Sequence, residues 1–533
     1  MTTTDETLRE AVAAGRAVLG IELGSTRIKA CLVGDDPSLI IASGSHEWEN
    51  ELVDGLWTYS DESVWSGLQS AYADLVANVE RRVGLAPTRI AAIGVSAMMH
   101  GYLVFDASGQ LLTPFRTWRN TTTGDAAAEL SDLFGVNIPL RWSIAHLHQA
   151  VRDGEAHVPE IRSMTTLAGY VHRRLTGRNA LGVGDASGMF PIDPATGDFD
   201  TNLLARYDTL ASGSGLPLPL RELLPQVLVA GQPAGELSAA GAALLDPRGR
   251  LAAGSSLCPP EGDAGTGMVA TNAIAPRSGN VSAGTSIFAM VVLERPLRHA
   301  HPELDVVVTP AGIPVAMVHC NNGASEIAAW VAMFARFAES AGLALDSDAV
   351  YGTLFREALL GKPDAGGLFA YNQVAGEPIA GLEEGRPLFV RTPASQFTLA
   401  NTMRAQLYGV FATLALGMRI LSEEGVALDR MFAHGGMFRT AGVASRFLAA
   451  ALDAPVSTSP TAGEGGAWGM AVLAAFAQSG GGSSLAEFLR ERVFASAELT
   501  TVEPEQDDVA GFAEYLGRYS VGLDVVRAAI TAF

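Results

Sequence analysis

The sequence predicts an α/β protein made of two similar domains, and three observations lead to that expectation. The chain has 533 residues, well beyond the size at which one hydrophobic core usually divides. Apolar residues make up 48% and charged residues 17% of it, a composition typical of folded globular proteins. A strand–turn–strand pattern with a Gly-hydroxyl turn occurs twice, about half a chain apart. Such a repeat predicts two domains that each present a turn to a shared central cleft.

The first of these turns lies near the N-terminus. Residues 1–16 form a polar leader, and residues 17–34 are apolar on both sides of a short interruption. The interruption consists of Gly24, Ser25 and Thr26. Apolar runs that flank a short Gly-containing turn predict two adjacent strands.

Helix-like and strand-like segments alternate after this hairpin. Residues 61–79 have helical spacing of apolar residues, and residues 89–99 form an apolar run that predicts a buried strand leading into a loop. Open α/β sheets bind ligands beyond the carboxyl ends of their strands. Met99 and His100 therefore become candidate ligand contacts, although a loop histidine with purely structural partners explains His100 equally well.

The second hairpin occupies residues 280–293. When the two hairpins are aligned, the first turn falls on Gly284, Thr285 and Ser286. We place the domain boundary in the stretch that precedes this hairpin, which gives domains 1–273 and 274–533. Later, the stretch 434–440 precedes a helix-like segment, residues 461–477 lead into another helix, and residues 480–484 are expected to form an exposed loop.

The paired turns are candidate phosphate sites. Successive backbone N–H groups in a Gly-rich turn cradle phosphate oxygens, and neighbouring hydroxyls add donors. Phosphoryl transfer needs such a cradle together with a metal ion, because its catalysis is mostly positioning and charge stabilisation. An ordinary hairpin turn remains the alternative for either turn alone.

Asp263 is the candidate general base. It lies between glycines in the small-residue segment 259–273, where a carboxylate can approach a substrate hydroxyl closely and accept its proton. The alternative is a helix-capping aspartate before a helix that begins near Ala264. The glycines of 434–436 and 463–466 are further candidates for close approach to a nucleotide, with a plain strand–loop–helix turn as the alternative.

Charge and cysteine content limit the partners. The formal net charge is −21, which disfavours nucleic acid and anionic membranes as partners. The three cysteines, Cys31, Cys258 and Cys320, include no CxxC pair, which favours a reducing cytoplasm over a disulfide framework or a zinc cage. The sequence contains no run of 18 apolar residues and no apolar core of a signal peptide, so we expect no membrane span.

Several nucleotide and hydrolase motifs are missing from the sequence. It contains no G-x-x-x-x-G-K-[ST] loop, no G-x-S-x-G elbow, no H-E-x-x-H and no G-x-G-x-x-G in a Rossmann context. These absences argue against P-loop NTPases, α/β-hydrolases, zinc proteases and dinucleotide-dependent enzymes.

Collinear segments along nearly the whole chain resemble the FGGY carbohydrate kinases, whose domains are similar to actin and Hsp70 in fold. The resemblance implies two actin-like (ribonuclease H-like) ATPase domains. The segments that carry it are, in chain order, GIELGSTRIKACLV (20–33), GVSAMMHGYLVFD (94–106), GDASGMFPID (184–193), LPQVLVAGQPAGELS (224–238), EGDAGTG (261–267), SAGTS (282–286), YNQVAGEP (371–378), HGGMFRTAGVASRFLAAALDAPV (434–456) and GEGGAWGMAVLA (463–474).

The resemblance implies an ATP-dependent sugar kinase that acts on a ketopentose such as xylulose or ribulose. Asp263 then deprotonates the sugar hydroxyl, and Met99 and His100 contact the sugar. Mg²⁺ bridges the phosphates, with Glu22 as its carboxylate. The ATP-binding residues implied are Gly24, Ser25, Thr26, Gly284, Thr285, Ser286, Gly435, Gly436 and Met437. Similar proteins are commonly dimers, so a homodimer is an expectation from the resemblance alone.

Departures from the family pattern fall mainly in the sugar-binding half. The family usually has Asp where this chain has Glu22, and Met98 stands in place of a glutamine. Asn120 and Thr122 follow Trp118 where an Asp and an Arg are common. These changes leave open a different polyol or ketose as the substrate. Two further alternatives are an actin-like ATPase without sugar kinase activity and a catalytically silent sugar sensor.

Overall fold

The computed structural model describes residues 3–459, 465–479 and 482–532. Its strands are β1 Val18–Leu23, β2 Arg27–Val33, β3 Ile40–Glu47, β4 Glu51–Val53, β5 Leu56–Thr58, β6 Ala92–Ala97, β7 Leu103–Phe105, β8 Ser163–Thr165, β9 Ala180–Gly182, β10 Ile192–Asp193, β11 Asp198–Phe199, β12 Gln226–Leu228, β13 Gly235–Glu236, β14 Ser256–Leu257, β15 Glu261–Gly262, β16 Ser278–Ala283, β17 Ile287–Val292, β18 Leu304–Val308, β19 Pro314–Cys320, β20 Phe369–Tyr371, β21 Leu388–Val390, β22 Arg430–His434, β23 Val456–Thr458 and β24 Thr500–Val502.

The α-helices alternate with these strands. They are α1 Thr3–Ala13, α2 Asp61–Val83, α3 Gly124–Phe134, α4 Ser143–Arg152, α5 Leu167–Thr176, α6 Val183–Ala186, α7 Thr201–Leu210, α8 Leu220–Leu223, α9 Ala239–Leu245, α10 Asp263–Ala270, α11 Ser325–Ser340, α12 Ser347–Ala358, α13 Leu399–Glu423, α14 Val443–Leu452, α15 Gly465–Ser479, α16 Leu485–Phe488 and α17 Gln506–Ala532.

The contacts divide the chain into two compact units, and each unit is made of three separate stretches of the sequence. The first unit contains residues 1–274, 306–315 and 464–497, and the second contains 275–305, 316–463 and 498–533. The predicted α/β class with two domains is confirmed. The boundary between residues 273 and 274 stays a proposal, because the later segments 306–315 and 464–497 pack within the first unit.

The first unit is built on a mixed sheet with strand order β13-β14-β6-β1-β2-β3, and β15 also pairs with β6. Strands β1 and β2 are antiparallel, whereas β6 runs parallel to β1. Helix α2 covers β3 and β2. It begins after Ser60, whose hydroxyl accepts the Ser63 N–H at 3.1 Å, and it ends at Gly84 in the left-handed conformation, both of which are favourable helix ends.

Helix α15 packs directly on the central strands of the first unit. A Cβ atom on Gly20 of β1 would lie 2.0 Å from the Ala467 carbonyl oxygen, and one on Gly469 would lie 2.2 Å from the Thr266 carbonyl oxygen. Only glycine fits at such close approaches of two backbones. This packing brings the first turn of α15 to the end of β1, beside Glu22.

The second unit repeats the central strand arrangement. Its sheet has the order β18-β19-β17-β16-β22-β23-β24. Strand β16 pairs antiparallel with β17 and parallel with β22, as β1 does with β2 and β6. The predicted hairpins are therefore both confirmed as strand–turn–strand units.

Helix α13 is the central helix of the second unit. By length and composition it is apolar enough to cross a membrane, but 72% of its most apolar window is buried in the protein. It also carries buried polar side chains, and the guanidinium group of Arg404 pairs with Asp508 of α17. A buried ion pair has to be matched internally because isolated buried charges are costly, so this helix has the contacts of a core helix.

The other predicted elements are also found. Residues 61–79 lie in α2, the run 89–99 contains β6, and the segment after 440 forms α14. The polar leader contains helix α1. The predicted turn at Gly463 and Glu464 and the first residues of the predicted loop 480–484 lie outside the described residues.

Candidate functional site

The turn between β1 and β2 is held by aromatic side chains of its own unit. The Trp48 indole donates to the Gly24 carbonyl oxygen at 2.7 Å, and the Tyr59 hydroxyl donates to the Ser25 carbonyl oxygen at 2.6 Å. The Trp118 indole donates to the Ser25 hydroxyl oxygen at 3.2 Å. These bonds fix the turn that is predicted to bind phosphate, and Thr26, the third residue of the turn, is exposed.

A cavity of about 820 Å³ adjoins this turn. Its lining includes Ser25, Thr26, Trp48, Trp118 and Arg119. The lining combines aromatic rings with hydroxyl and guanidinium donors, and it also contains the carboxylates of Glu47 and Glu49. That combination suits a polar ligand such as a sugar or a phosphate ester.

Asn120, one of the departures from the family pattern, is structural. Its side-chain oxygen accepts the Trp57 N–H at 2.9 Å, while its amide nitrogen donates to the carbonyl oxygens of Trp57 and Thr117 at 2.9 and 3.0 Å. The residue is buried. These bonds anchor β5 to the loop that carries Trp118, so Asn120 shapes the cavity wall through its backbone partners.

Glu22 lies at the end of β1, where the first turn of α15 meets it. A Cβ atom on Gly466 would lie 2.4 Å from Glu22 Oε1. Burial raises the pKa of Glu22, and the nearby Lys29 ammonium and the N–H groups of Ala467 and Gly466 oppose that increase. Lys29 is the cross-strand partner of Glu22 on β2. The side chain is therefore an oriented carboxylate rather than a free surface charge.

Asp263 is the first residue of α10, and Gly262 is the N-cap residue. Its Oδ1 accepts the Met99 N–H at 3.2 Å, which joins the loop after β6 to the start of the helix. Burial and the Glu22 charge raise the pKa of Asp263 to about 7, and backbone N–H groups partly oppose this increase. Gly262 occupies the N-cap position and Asp263 is the first helical residue, and backbone N–H groups at the helix start, including that of Ala264, still stabilise its carboxylate.

Two further buried carboxylates adjoin Asp263, and sequence reasoning missed both as site residues. Burial and the Asp263 charge raise the pKa of Asp185 to about 7, while the Thr166 hydroxyl, which donates to Oδ2 at 2.6 Å, lowers it. Burial and the Asp185 charge raise the pKa of Glu261 to about 8. Glu261 accepts the N–H groups of Gly184 and Asp185 at 3.3 and 2.9 Å.

One oxygen atom of the Asp185 carboxylate is available to a ligand. Its Oδ1 is buried and has no hydrogen-bond partner among the described residues, and it lies 3.3 Å from where a Cβ atom on Gly262 would be. A buried acceptor without a partner is costly, so this oxygen is a candidate ligand contact. The signal in the sequence was an acidic residue inside the otherwise apolar stretch 180–190, where an unpaired carboxylate is unfavourable.

Met99 and His100 lie at the same edge of the sheet as Asp263. The backbone of His100 is left-handed, with φ of 69°, and its ring lies against the Gly188 backbone, with Nδ1 3.3 Å from the Gly188 carbonyl oxygen. The ring also stacks on Trp142 at 6.5 Å between centroids. A left-handed non-glycine residue is uncommon and often occurs at functional sites.

In the part of the chain that the structure describes, the hydrogen bonds to the turn of the second unit, Gly284 to Ser286, come from backbone groups. The N–H groups of Gly323 and Ala324 donate to the carbonyl oxygens of Thr285 and Gly284 at 2.7 and 2.9 Å. A Cβ atom on Gly323 would lie 2.4 Å from the Gly284 carbonyl oxygen. Gly284 and Thr285 are exposed, so the turn is rigid yet open.

Gly435 and Gly436 follow β22, which runs beside β16 of the same unit. Gly435 has φ of 110°, and a Cβ atom there would lie 2.3 Å from the Ala283 carbonyl oxygen. Gly436 has open space around it, and the Met437 side chain is buried. The fold itself requires glycine at position 435, whereas only a ligand would require it at 436.

Within each unit the structure brings together the residues predicted for it. Glu22, Met99, His100 and Asp263 gather at the carboxyl end of β1 and β6, with Asp185 and Glu261 behind them. In the second unit, the Gly284–Ser286 turn and Gly435 meet through the β16–β22 pair.

Comparisons with known proteins identify the family. The N-terminal domain model of the FGGY family of carbohydrate kinases matches residues 17–247, and the C-terminal domain model matches residues 279–478. The xylulose kinase of Klebsiella pneumoniae is 24% identical over 198 residues, which are 36% of this chain and 40% of that protein. The alignment thus spans less than half of the curated relative.

Solved structures of this family share the fold. The xylulose kinase of Rhodospirillum rubrum is 21% identical and superposes with a TM-score of 0.77, over 96% of this chain and 99% of the other. The gluconate kinase of Lactobacillus acidophilus is 18% identical, with a TM-score of 0.76 over 96% and 98% of the two chains. With both domain models matched in order and the two-domain α/β fold shared along nearly its whole length, the chain belongs to the FGGY family of carbohydrate kinases.

Proposed function

We propose that the protein transfers the γ-phosphoryl group of ATP to a hydroxyl group of a small sugar, with Asp263 as the general base. The observation that carries this proposal is the position of Asp263. It begins a helix at the carboxyl end of the central strands, and Met99 N–H holds one of its oxygens while three other acidic residues lie nearby. A proton acceptor at such a site removes the hydroxyl proton as the oxygen attacks phosphorus.

The environment of Asp263 suits a base that works near neutral pH. Its raised pKa gives the carboxylate more proton affinity than an exposed aspartate has, yet leaves it ionised in part at pH 7. General bases are most effective when their pKa lies near the working pH. The bond from the Met99 N–H to Oδ1, together with the backbone N–H groups of Ala264 and Asp263, orients the carboxylate.

Glu22 and Asp263 fit a hard divalent cation such as Mg²⁺. The charge of Glu22 raises the pKa of Asp263, so a cation held by these carboxylates would relieve an existing repulsion. Bound Mg²⁺ neutralises charge on the phosphates during transfer. The N–H groups at the start of α15 and Lys29 orient Glu22 for this role.

The turns of both units are proposed to bind ATP. In the second unit the carbonyl oxygens of Gly284 and Thr285 are already taken by backbone donors, so a phosphate that binds there meets N–H and hydroxyl groups instead. Gly436 and Met437 lie in the same unit and offer an open backbone surface beside a buried apolar side chain, which suits the adenosine. In the first unit, Ser25 and Thr26 supply hydroxyl donors.

We propose a ketopentose, xylulose or ribulose, as the sugar. The named relatives include xylulose kinases, and the gluconate kinase shows that a similar fold accompanies a different substrate name. In this chain the sugar is expected to meet His100, the Met99 side chain and the spare Oδ1 of Asp185. A carboxylate oxygen that has lost water accepts a sugar hydroxyl strongly, and it would disfavour an anionic acid such as gluconate.

The same proposal covers partners and location. The net charge of −21 argues for a small-molecule substrate rather than nucleic acid or a membrane. The three cysteines are buried, which fits a cytoplasmic enzyme. A homodimer is proposed from the family resemblance alone, and sedimentation analysis tests it.

The direct test is ADP release from Mg-ATP across a panel of ketoses, aldoses, polyols and sugar acids, with a control that contains no sugar. We expect a strong stimulation by one or two pentuloses. Equal slow release in every reaction would instead support a sugar-independent ATPase, and no release with any member would support a silent sensor. Asp132→Asn, an exposed change on α3, is the matched control for Asp263→Asn.

A further inference from the structure

Two histidines and a glutamate form a compact cluster in the second unit, outside the residues that the proposed function uses. His299 and His301 lie in the connection between β17 and β18, and Glu424 directly follows α13. His299 Nδ1 and His301 Nε2 lie 3.0 and 2.8 Å from the same oxygen, Oε1 of Glu424. Their three ligand atoms all lie within 4.8 Å of one another.

The glutamate of this cluster is held in place by its surroundings. Its other oxygen, Oε2, accepts the Arg298 N–H at 2.8 Å, and the residue is only 6% exposed. A second partner that holds one carboxylate oxygen while the other faces the ligand is the usual support of a metal-binding carboxylate.

We propose that His299, His301 and Glu424 bind one divalent transition-metal ion, with Zn²⁺ as the best fit. Two imidazole nitrogens and one carboxylate oxygen are a ligand set that Zn²⁺ uses in open sites, with water in the fourth position. His299 is the exposed member of the cluster, at 75% side-chain exposure, so solvent reaches the site. Mg²⁺ and Ca²⁺ prefer oxygen ligands and would bind poorly.

An ion would require the side chains to move in two ways. Ligand atoms about 2.0–2.2 Å from a tetrahedral ion lie roughly 3.2–3.6 Å from one another, so the two nitrogen–oxygen distances must lengthen by a few tenths of an ångström. The two ring nitrogens, which lie within 4.8 Å of each other, must come to the same range. The imidazoles would bind in their neutral form, with the proton of each on the nitrogen that faces away. The exposed loop position of His299 gives the freedom for this shift.

Neighbouring charges set the expected strength of binding. The Arg295 and Arg298 guanidinium groups lie close to Gly425, the residue after Glu424, and they oppose a cation. Glu294 and Glu303 of the same connection are acidic. With one carboxylate as an anionic ligand and arginines nearby, we expect binding weaker than that of a structural zinc cage. The competing explanation is a metal-free hydrogen-bonded link between the loop and α13.

The test uses the full-length protein without a histidine tag, freed of metal by chelation and dialysis. Zn²⁺ is titrated against a chromogenic chelator, and Co²⁺ is added separately to record its visible absorption. We expect one Zn²⁺ per chain and an intense Co²⁺ band of a four-coordinate site. His299→Ala and His301→Ala should weaken Zn²⁺ binding at least about tenfold, because each removes one of only three protein ligands.

The controls separate a built site from general metal binding. Glu423→Gln changes the exposed neighbour of Glu424 and should leave the affinity for Zn²⁺ unchanged. His299→Ala removes an exposed side chain, so it tests the site even if Glu424→Gln fails to fold. Unchanged Zn²⁺ affinity in both histidine variants, or no Zn²⁺ bound by the parent protein, would overturn the proposal and leave the hydrogen-bonded link as the explanation.

Discussion

The two units use the same hairpin in different surroundings. In both, a central strand pairs antiparallel with the next strand and parallel with a later one. The turn of the first unit is held by the side chains of Trp48, Tyr59 and Trp118, and carboxylates gather at its sheet edge. The turn of the second unit is held by backbone N–H groups, and Gly323 and Gly435 allow neighbouring backbone to approach it closely.

This difference indicates that the two units have different chemical roles although they share the same strand arrangement. Acidic residues with raised pKa values suit proton transfer and a cation, whereas a bare backbone turn suits an anion, which carboxylates would repel. The hairpin itself decides neither role. The residues around it do so, since Glu22 and Asp263 lie at the strand ends in the first unit, whereas Gly435 and Gly436 follow the parallel strand β22 in the second.

The largest expected effect concerns the carboxylates of the first unit. Asp263→Asn should lower kcat for sugar phosphorylation by about 10²–10⁴-fold, the usual contribution of a general base. The affinity for ATP should stay within about twofold, because the base is not a nucleotide anchor. Steady-state kinetics and nucleotide titration measure the two quantities. Turnover at the level of the Asp132→Asn control would show that Asp263 is not the base.

Glycine substitutions in the second unit test whether its exposed backbone binds ATP. Gly436→Val should weaken ATP binding about tenfold while the protein stays folded, because the position is open and a side chain there would occupy ligand space. Gly435→Val should instead lower the free energy of unfolding by about 1–3 kcal/mol or more, because φ is positive and Ala283 is too close. Nucleotide titration and denaturant unfolding of both variants distinguish these outcomes. Unchanged ATP affinity in Gly436→Val would remove this loop from the site.

Much of this comparison was predictable from the sequence. Both hairpins and Asp263 follow from local signals, namely apolar runs around a Gly-hydroxyl turn and a carboxylate among small residues. Helix α15 packs on Gly20 of the first unit, whereas the segment that precedes it in sequence belongs to the second unit, and no local signal predicts this packing. Backbone complementarity between distant glycines becomes visible only once the chain is folded.

Asp185 and Glu261 show the other limit of sequence reasoning. Each lies in a segment whose apolar neighbours predict burial, and buried carboxylates need partners that the sequence does not display. Their partners, Thr166 and the N–H groups of Gly184 and Asp185, come from positions 19 to 77 residues apart in the chain. The cluster of His299, His301 and Glu424 in the second unit likewise joins residues more than 120 positions apart.

The pH dependence of stability gives a third test, with a moderate expected effect. The folded-state pKa of Asp263 is raised from 3.8 to about 7, so folding favours its protonated form. That contribution is fully present below the unfolded-state pKa and is lost as the pH rises through about 7. In metal-free protein, Asp263→Asn should therefore gain stability relative to the parent as the pH rises from 5 to 8.

The same experiment identifies the cause of the raised pKa. Thermal unfolding is recorded at several pH values with and without Mg²⁺, and Glu22→Gln should reduce the pH-dependent difference because it removes the neighbouring charge. Mg²⁺ should also reduce it in the parent protein, since a bound cation stabilises the ionised carboxylates. A stability difference that is independent of pH would show that Asp263 titrates as an ordinary aspartate.

The smallest expected effect compares how much one side chain in each turn contributes to the free energy of unfolding. Ser25→Ala removes the oxygen that accepts the Trp118 indole N–H at 3.2 Å, and the loss of one such bond at a partly buried site costs about 1 kcal/mol. Ser286→Ala lies in a turn held by backbone bonds to its neighbours and should cost less than about 0.5 kcal/mol. Denaturant unfolding of the two variants measures this difference. If both changes cost the same free energy, the Trp118 bond adds nothing to the stability of the first turn, and the contrast between the turns would rest on the bonds from Trp48 and Tyr59 to backbone oxygens.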